Sequence, residues 1–172
     1  MTDVDATVWQ LDGQLLDVLS EIGVGFERVE AGAYLVTLHG ERRPTTLVWL
    51  IAGEQAVAVE AFVVHACPDA SALHRYLLAR NLRLREVHFA VDEVGDVFLT
   101  GSLPHAAVDV ATVDRLRGEV LELLEQSQAA IVQAAYGERT AEPWLVAKTA
   151  LDGAGRRPAG TPDRAPRRDV RR

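Results

Sequence analysis

Ser102, His105 and Asp109 stand close together in the chain and have the residue types of a nucleophile, a base and an orienting acid. The local sequence Gly101-Ser-Leu-Pro-His105 lacks the second glycine of a nucleophile elbow. Asp109 is also suited to cap the helix that follows it. Catalytic triads are defined by geometry rather than by spacing along the chain, so the sequence alone predicts no catalytic residues and no enzyme here.

His65, Cys67 and His74 could offer two imidazoles and a thiolate to a zinc ion. A structural zinc site usually has four ligands in two closely spaced pairs, and no second pair accompanies these three residues. A single cysteine is more often a small buried apolar side chain. We therefore predict no metal site.

Asp92, Glu93 and Asp96 form an acidic cluster, but their spacing is not that of an EF-hand loop. Carboxylates in a solvated turn are the simpler interpretation. Gly23-Val-Gly25 precedes a predicted strand rather than a helix, so it is not a dinucleotide fingerprint, and no phosphate-binding loop is present. No cofactor is predicted.

The hydrophobic pattern predicts nine elements that would position these residues, in the order α-β-β-β-β-α-β-β-α. Leu11 to Ile22 has apolar residues at helical spacing, and four predicted strands follow between residues 26 and 64. A short helix from Ala70 to Arg80 precedes a hairpin from Glu86 to Leu103, and a long helix begins at Asp109. We predict an α+β fold, an antiparallel sheet with the helices on one face.

The strands at residues 45–51 and 56–64 are apolar on both faces. Such a strand is covered twice or lies at an interface. Trp49, Ile51, Phe62 and Val64 are therefore the candidate interface residues. A homodimer through this second face of the sheet is predicted.

Charge is distributed unevenly along the chain. The net charge is −7, yet residues 151–172 hold seven Arg and three Asp, so residues 1–150 carry −11. We predict a domain over residues 1–137 and a mostly disordered tail rich in Arg, Pro and Gly over residues 138–172. Trp144-Leu-Val146 in that tail either folds back on the domain or serves as a short docking segment.

Composition also limits the cellular compartment and the kinds of partner that can be expected for this protein. No apolar run reaches the roughly 20 residues of a membrane span, and the acidic start lacks the basic region of a signal peptide. A lone Cys67 fits a reducing compartment, so a cytoplasmic protein is expected. The acidic domain repels phosphates, so only the basic tail could bind nucleic acid. Heavy Ala, Val, Leu and Arg use indicates a high-GC genome of actinobacterial type.

Three motifs carry a resemblance to a known family: Leu77-Leu-Ala-Arg-Asn81, Val87-His-Phe-Ala-Val-Asp92 and Gly95-Asp-Val-Phe-Leu99. By these motifs within residues 73–127, and by element order over residues 7–135, the chain resembles the YbjN family. That family has the fold of type III secretion chaperones. The resemblance implies a noncatalytic, chaperone-like and often dimeric domain, in a group described as bacterial regulators of sensory transduction.

The predicted function is therefore noncatalytic protein binding, with an unknown client or regulatory partner. Two alternatives stay open: a small ligand-binding domain or enzyme built on the same sheet, and nucleic-acid binding by the tail. A deep pocket with converging polar groups would favour the first alternative. Strong salt dependence of binding would favour the second.

Overall fold

The computed structural model describes residues 3–137, with side chains from Trp9 onward. Its elements are α1 (Asp3–Ile22), β1 (Gly25–Glu30), β2 (Ala33–Leu38), β3 (Thr46–Ala52), β4 (Ala56–Val64), α2 (Ser71–Asn81), β5 (Val87–Val91), β6 (Val97–Pro104) and α3 (Val110–Tyr136). A short 3₁₀ helix, His105–Ala107, joins β6 to α3. The nine predicted elements are present in the predicted order.

The six strands form one antiparallel sheet in the order β1-β2-β3-β4-β6-β5. Strand β6 lies between β4 and β5, so the chain leaves β4, forms α2 and β5, and then returns to fill the gap. The α+β class and the antiparallel sheet predicted from the sequence are confirmed.

The ends of the helices follow ordinary capping chemistry. Gly23 ends α1 with φ +72° and its N–H bonds to the carbonyl of Leu19, a conformation that suits glycine. Asp109 accepts hydrogen bonds from the Thr112 N–H at 2.9 Å and from its hydroxyl at 3.2 Å, as the sequence predicted for an N-cap. Helix α1 begins at Asp3, well before the first residue of its apolar stripe.

One face of the sheet packs against all three helices and forms the core. Alternate residues of each strand point to this helix face, because strand side chains alternate between faces. The core residues from the sheet are Tyr34, Val36, Leu38, Val48, Leu50, Val57, Val59, Ala61, Val87, Phe89, Val97 and Leu99, and those from the helices are Leu11, Leu15, Val18, Leu19, Leu73, Leu77, Val113, Leu116, Val120, Leu123, Leu124 and Ile131. The predicted placement of the helices on one face is correct.

Val87 and Phe89 of β5 lie in the core, whereas Val91 at the end of the strand is 45% exposed. Helix α3 ends at Tyr136 with Gly137 as its C-cap, and the domain boundary at residue 137 stays a prediction. The predicted tail, including Trp144, lies outside the described residues. No helix within residues 3–137 is both long and apolar enough to cross a bilayer.

Candidate binding surface

The face of the sheet opposite the helices, called the outer face below, carries a row of side chains that crosses all six strands. Each residue in this row is paired with the next by strand register. Because paired residues point to the same side of a sheet, the row defines one surface. From β1 to β5 it contains Glu27, Leu35, Trp49, Glu60, Thr100 and His88. Ile51 lies two residues from Trp49 on β3 and shares this face.

An aromatic cluster lies beside this row. The rings of Phe62 and Phe98, which are paired on β4 and β6, meet edge to face with centroids 5.5 Å apart. The ring of His65 packs on Phe62 at 4.6 Å. Phe62 is 4% exposed, Phe98 1% and Trp49 8%, yet none of the three belongs to the core that the helices cover. Three large aromatic side chains therefore lie on the outer face.

The structure corrects the assignment of Val64. A bulge shifts the register between Phe62 and Val64, so Val64 pairs with Val97. The extra residue of a bulge turns the following side chain to the other face. Val64 is consequently 2% exposed within the helix-covered core. Of the four candidate interface residues, Trp49, Ile51 and Phe62 share the outer face, and Val64 does not.

A buried arginine holds the loop between β2 and β3 at one end of the sheet. Arg43 is 4% exposed, and its guanidinium donates to the carbonyls of Phe62 at 2.7 Å and Val63 at 3.2 Å. The Glu125 carboxylate on α3 accepts from the backbone N–H groups of Arg42 and Arg43 at 2.8 to 3.1 Å. Burial lowers the pKa of Arg43 to about 10, although Glu125 opposes this shift.

A buried carboxylate joins α1 to the β1–β2 hairpin. Asp12 is 6% exposed and accepts hydrogen bonds from the Arg28 guanidinium, the Gly32 N–H at 2.8 Å and the Tyr34 hydroxyl at 2.7 Å. Burial alone would raise the pKa of Asp12, but these donors hold it below its ordinary value. Burial, with the bond to Asp12, raises the pKa of Tyr34 to about 12. Every donor already has its acceptor, so the cluster is structural.

Nothing in the sequence pattern marked Asp12 and Arg28 as partners. They lie 16 residues apart on a helix and a strand, and each is an ordinary polar residue within its own element. The signal that could have found them is the position of Asp12 next to Leu11 on the buried side of α1. A carboxylate there needs a partner.

Ser102, His105 and Asp109 each have another role. Ser102 is exposed on β6, and His105 Nε2 donates to the carbonyl of Gly53 at 3.2 Å. Asp109 is committed to the α3 N-cap. A base must be within hydrogen-bond reach of its nucleophile, and the described contacts of these residues do not form that arrangement.

The candidate metal ligands are also engaged in ordinary contacts. His65 Nδ1 lies 3.4 Å from the carboxylate of Asp96, which accepts from the Ala66 N–H at 2.9 Å. Asp92 accepts from the N–H groups of Val94 and Asp96 in the β5–β6 turn. Burial raises the pKa of the Cys67 thiol, which disfavours the thiolate form that binds metal. Within residues 3–137 no three such side chains converge as metal ligands.

A narrow cavity lies between α1, α3 and the helix face of the sheet. Its volume is about 20 Å³, and its wall is almost wholly apolar, with Leu19, Val36, Leu50 and Val120 among the lining residues. Drug-sized ligands occupy roughly 300–1,000 Å³. The cavity is therefore a packing gap and too small for a metabolite.

Comparison with known proteins places this chain in a defined group. The family model YbjN, described as "Putative bacterial sensory transduction regulator", matches residues 12–133. An uncharacterized protein of Mycobacterium tuberculosis is 38% identical over 114 residues, covering 65% of this chain and 62% of the relative. One of Mycobacterium leprae is 38% identical over 112 residues, covering 64% and 60%. The matched region thus spans less than two thirds of these relatives.

Solved structures share the fold. The type III secretion chaperone SycH of Yersinia pestis, in complex with a fragment of YscM2, has a TM-score of 0.51 at 16% identity and covers 67% of this chain and 98% of its own. The ExsC–ExsE complex gives 0.53 at 18% identity over 76% and 97%. The HopA1–SchA chaperone–effector complex gives 0.53 at 16% identity over 73% and 97%. At these identities the likeness establishes the fold.

Proposed function

This chain belongs to the YbjN family, and from that premise we propose that it is a noncatalytic module that binds a segment of another polypeptide on the outer face of its sheet. The carrying observation is the group formed by Trp49, Phe62 and Phe98, which lies on the face that the helices leave free. Aromatic residues are enriched at protein-binding surfaces.

Two further observations support binding over catalysis. The polar groups that could have formed a reactive site serve as caps and turn contacts instead. The cavity in the core has no room for a substrate. A sheet surface with an aromatic centre and acidic groups at Glu27 and Glu60 fits a peptide segment better than a metabolite.

The similar structures support the same class of function. Their titles describe complexes of chaperones with other proteins: SycH with YscM2, ExsC with ExsE, and SchA with HopA1. We extend only the class, protein binding, to this chain. The family description adds a regulatory role in sensory transduction, and a bound client would supply the means of regulation.

The proposal can be tested by photo-crosslinking in the organism that makes this chain. A photoreactive residue at Ile51 on the outer face should capture a polypeptide that the same residue at Val94, in the β5–β6 turn, does not capture. The captured protein is then purified and titrated against the full chain. Ile51→Asp should weaken its binding by about tenfold or more, because a charge would be buried at the contact.

The matched control is Val94→Asp, which adds the same charge at a residue that is 57% exposed. Its affinity for the captured protein should equal that of the wild type. Equal affinity for Ile51→Asp and wild type would show that the outer face is not the binding surface. Circular dichroism of each variant confirms that it is folded.

We also propose a homodimer, but through a surface other than the outer face of the sheet. Trp49 and Phe62 are assigned to the client, so a second copy would need a different surface. Leu78 and Leu82 at the end of α2 are 67% and 88% exposed, and Val91 on the neighbouring β5 is 45% exposed. We place the two-fold contact on this α2–β5 surface, where one patch would meet its own copy.

The cytoplasm is the proposed location, supported by the single Cys67, which fits a reducing compartment. Nucleic-acid binding is the weaker alternative. The strands of the sheet contain one arginine, Arg28, and its guanidinium is bonded to Asp12. A surface without free cations lacks the phosphate contacts that nucleic acid requires.

A further inference from the structure

The outer face is acidic as well as apolar. Strand register places Glu27, Glu30 and Glu60 there, and Arg28, the strands' one basic residue apart from histidine, belongs to the buried cluster on the helix side. An occupant with positive charge and a few apolar side chains would therefore complement this surface.

The burial of the aromatic cluster indicates a covering layer. Phe98, Phe62 and Trp49 are 1%, 4% and 8% exposed, while α1, α2 and α3 pack against the opposite face. A sheet face with no second layer leaves such large side chains partly in contact with water. The helices cannot be that layer.

The chain itself carries a segment of the required chemistry. Residues 138–172 contain nine basic and five acidic residues, a balance of +4, against −11 for residues 1–137. The segment also contains Trp144-Leu-Val146, its most apolar stretch. We propose that this segment docks on the outer face of its own sheet, with Trp144 against the aromatic cluster and arginines beside Glu27 and Glu60.

The geometry at the end of α3 allows this docking. Gly137 leaves the helix with φ +63°, a conformation that turns the chain and favours glycine. Trp144 lies seven residues beyond Gly137, and this stretch spans up to about 25 Å when extended. The sheet and helix layers together are about 20 Å thick. A nearly extended path from Gly137 is therefore long enough to bring Trp144 to the far side of the sheet.

Docking of this segment would also regulate client binding, a consequence that rests on the proposed function. A docked segment has an effective concentration of about millimolar, because it is joined to the surface it covers. A client that binds the same face must displace it, and its apparent affinity falls by the fraction of molecules that are open. The basic segment would thus act as a built-in competitor that sets which clients bind.

The test uses the full chain and the fluorescence of Trp49. The three tryptophans are Trp9, Trp49 and Trp144, so Trp9→Phe with Trp144→Phe leaves Trp49 as the reporter and keeps an aromatic group for docking. Trp9→Phe with Trp144→Asp removes that group. Acrylamide quenching of Trp49 should be several-fold stronger in the Asp variant than in the Phe variant. Adding Thr149→Asp to the Phe variant supplies the matched charge and should leave quenching low.

Salt and dilution separate the possible occupants. Higher ionic strength should increase quenching in the Phe variant, because it screens the arginine–glutamate attraction. Dilution should not change quenching, since the docking is intramolecular. Equal quenching in the Phe and Asp variants, or quenching that rises on dilution as for a second copy, would overturn the inference.

The outcomes distinguish this inference from the proposed function. If a captured polypeptide binds the outer face while Trp49 quenching is indifferent to position 144, protein binding stands and the competitor role is wrong. If quenching responds to position 144 but Ile51→Asp does not change the affinity of the captured polypeptide, the segment docks and the proposed function fails. Hydrogen exchange of the amides at residues 140–150 in the full chain gives an independent readout: slow exchange supports docking, and exchange at the free-peptide rate overturns it.

Discussion

The carboxamide of Asn81 pairs with the backbone of Phe89 in both directions: Nδ2 donates to the Phe89 carbonyl at 3.0 Å, and the Phe89 N–H donates to Oδ1 at 2.9 Å. Asn81 ends α2, and Phe89 is the middle residue of the edge strand β5. The side chain thus occupies the hydrogen-bonding groups that an edge strand would otherwise offer to another chain. This contact gives a physical reason for the asparagine that ends the α2 motif.

Asn81→Ala should lower the free energy of unfolding by about 1–3 kcal/mol, because it leaves both groups of Phe89 without a partner. Arg83→Ala changes a nearby exposed residue and should alter stability by less than about 0.5 kcal/mol. Urea unfolding of the two variants provides the comparison. Equal stabilities would mean that water replaces the asparagine at no cost.

Asp12→Asn should remove a pH-dependent contribution to stability. Because the folded-state pKa of Asp12 lies below its ordinary value of 3.8, the carboxylate stabilises the fold above that value and loses its effect as pH falls through the folded pKa. At neutral pH the variant should be less stable by about 1–3 kcal/mol. The difference from wild type should shrink below pH 3.8, measured by chemical denaturation at each pH.

Leu123→Ala should destabilise the fold by roughly 2–5 kcal/mol, since Leu123 is 4% exposed in the core contact of α3. Glu122 is the exposed neighbour and accepts a hydrogen bond from Gln126. Glu122→Ala should change stability by less than about 0.5 kcal/mol. The reverse ranking in guanidinium unfolding would contradict the helix register.

Light scattering after size exclusion should give about twice the chain mass of 18.8 kDa for the wild type. Leu78→Asp should return the mass to that of a single chain, because a two-fold axis brings the charge into the contact twice. Val94→Asp should stay dimeric. A wild-type mass near 18.8 kDa at all concentrations would exclude the proposed dimer.

The order of elements could be predicted because each boundary has a local cause. Gly23 and Asp109 act within one turn of the backbone, and the alternation of β2 reports its two faces directly. Asn81 ends α2 without a left-handed backbone, since among the described residues only glycines have positive φ. Its side chain bonds to a strand instead, which local sequence does not reveal.

The parts of the site that could not be predicted depend on distant partners or on one extra residue. The apolar residues of β4 gave Phe62 and Val64 the same face by period-two counting, and the bulge between them separates the two. The contact of Glu125 with the loop at Arg42 and Arg43 joins residues more than 80 positions apart. Neither feature has a signal in residue type alone.

The position of β6 between β4 and β5 affects how the chain folds during its synthesis. During synthesis β4 is complete at Val64, but its partner strand is finished only at Pro104. Until then the nascent chain displays an unpaired apolar edge, and α3, which closes the core, has not yet emerged. Long-range strand pairing of this kind folds slowly and exposes a surface that aggregates. A ribosome paused between those two points would hold a chain that depends on the cell's general folding machinery.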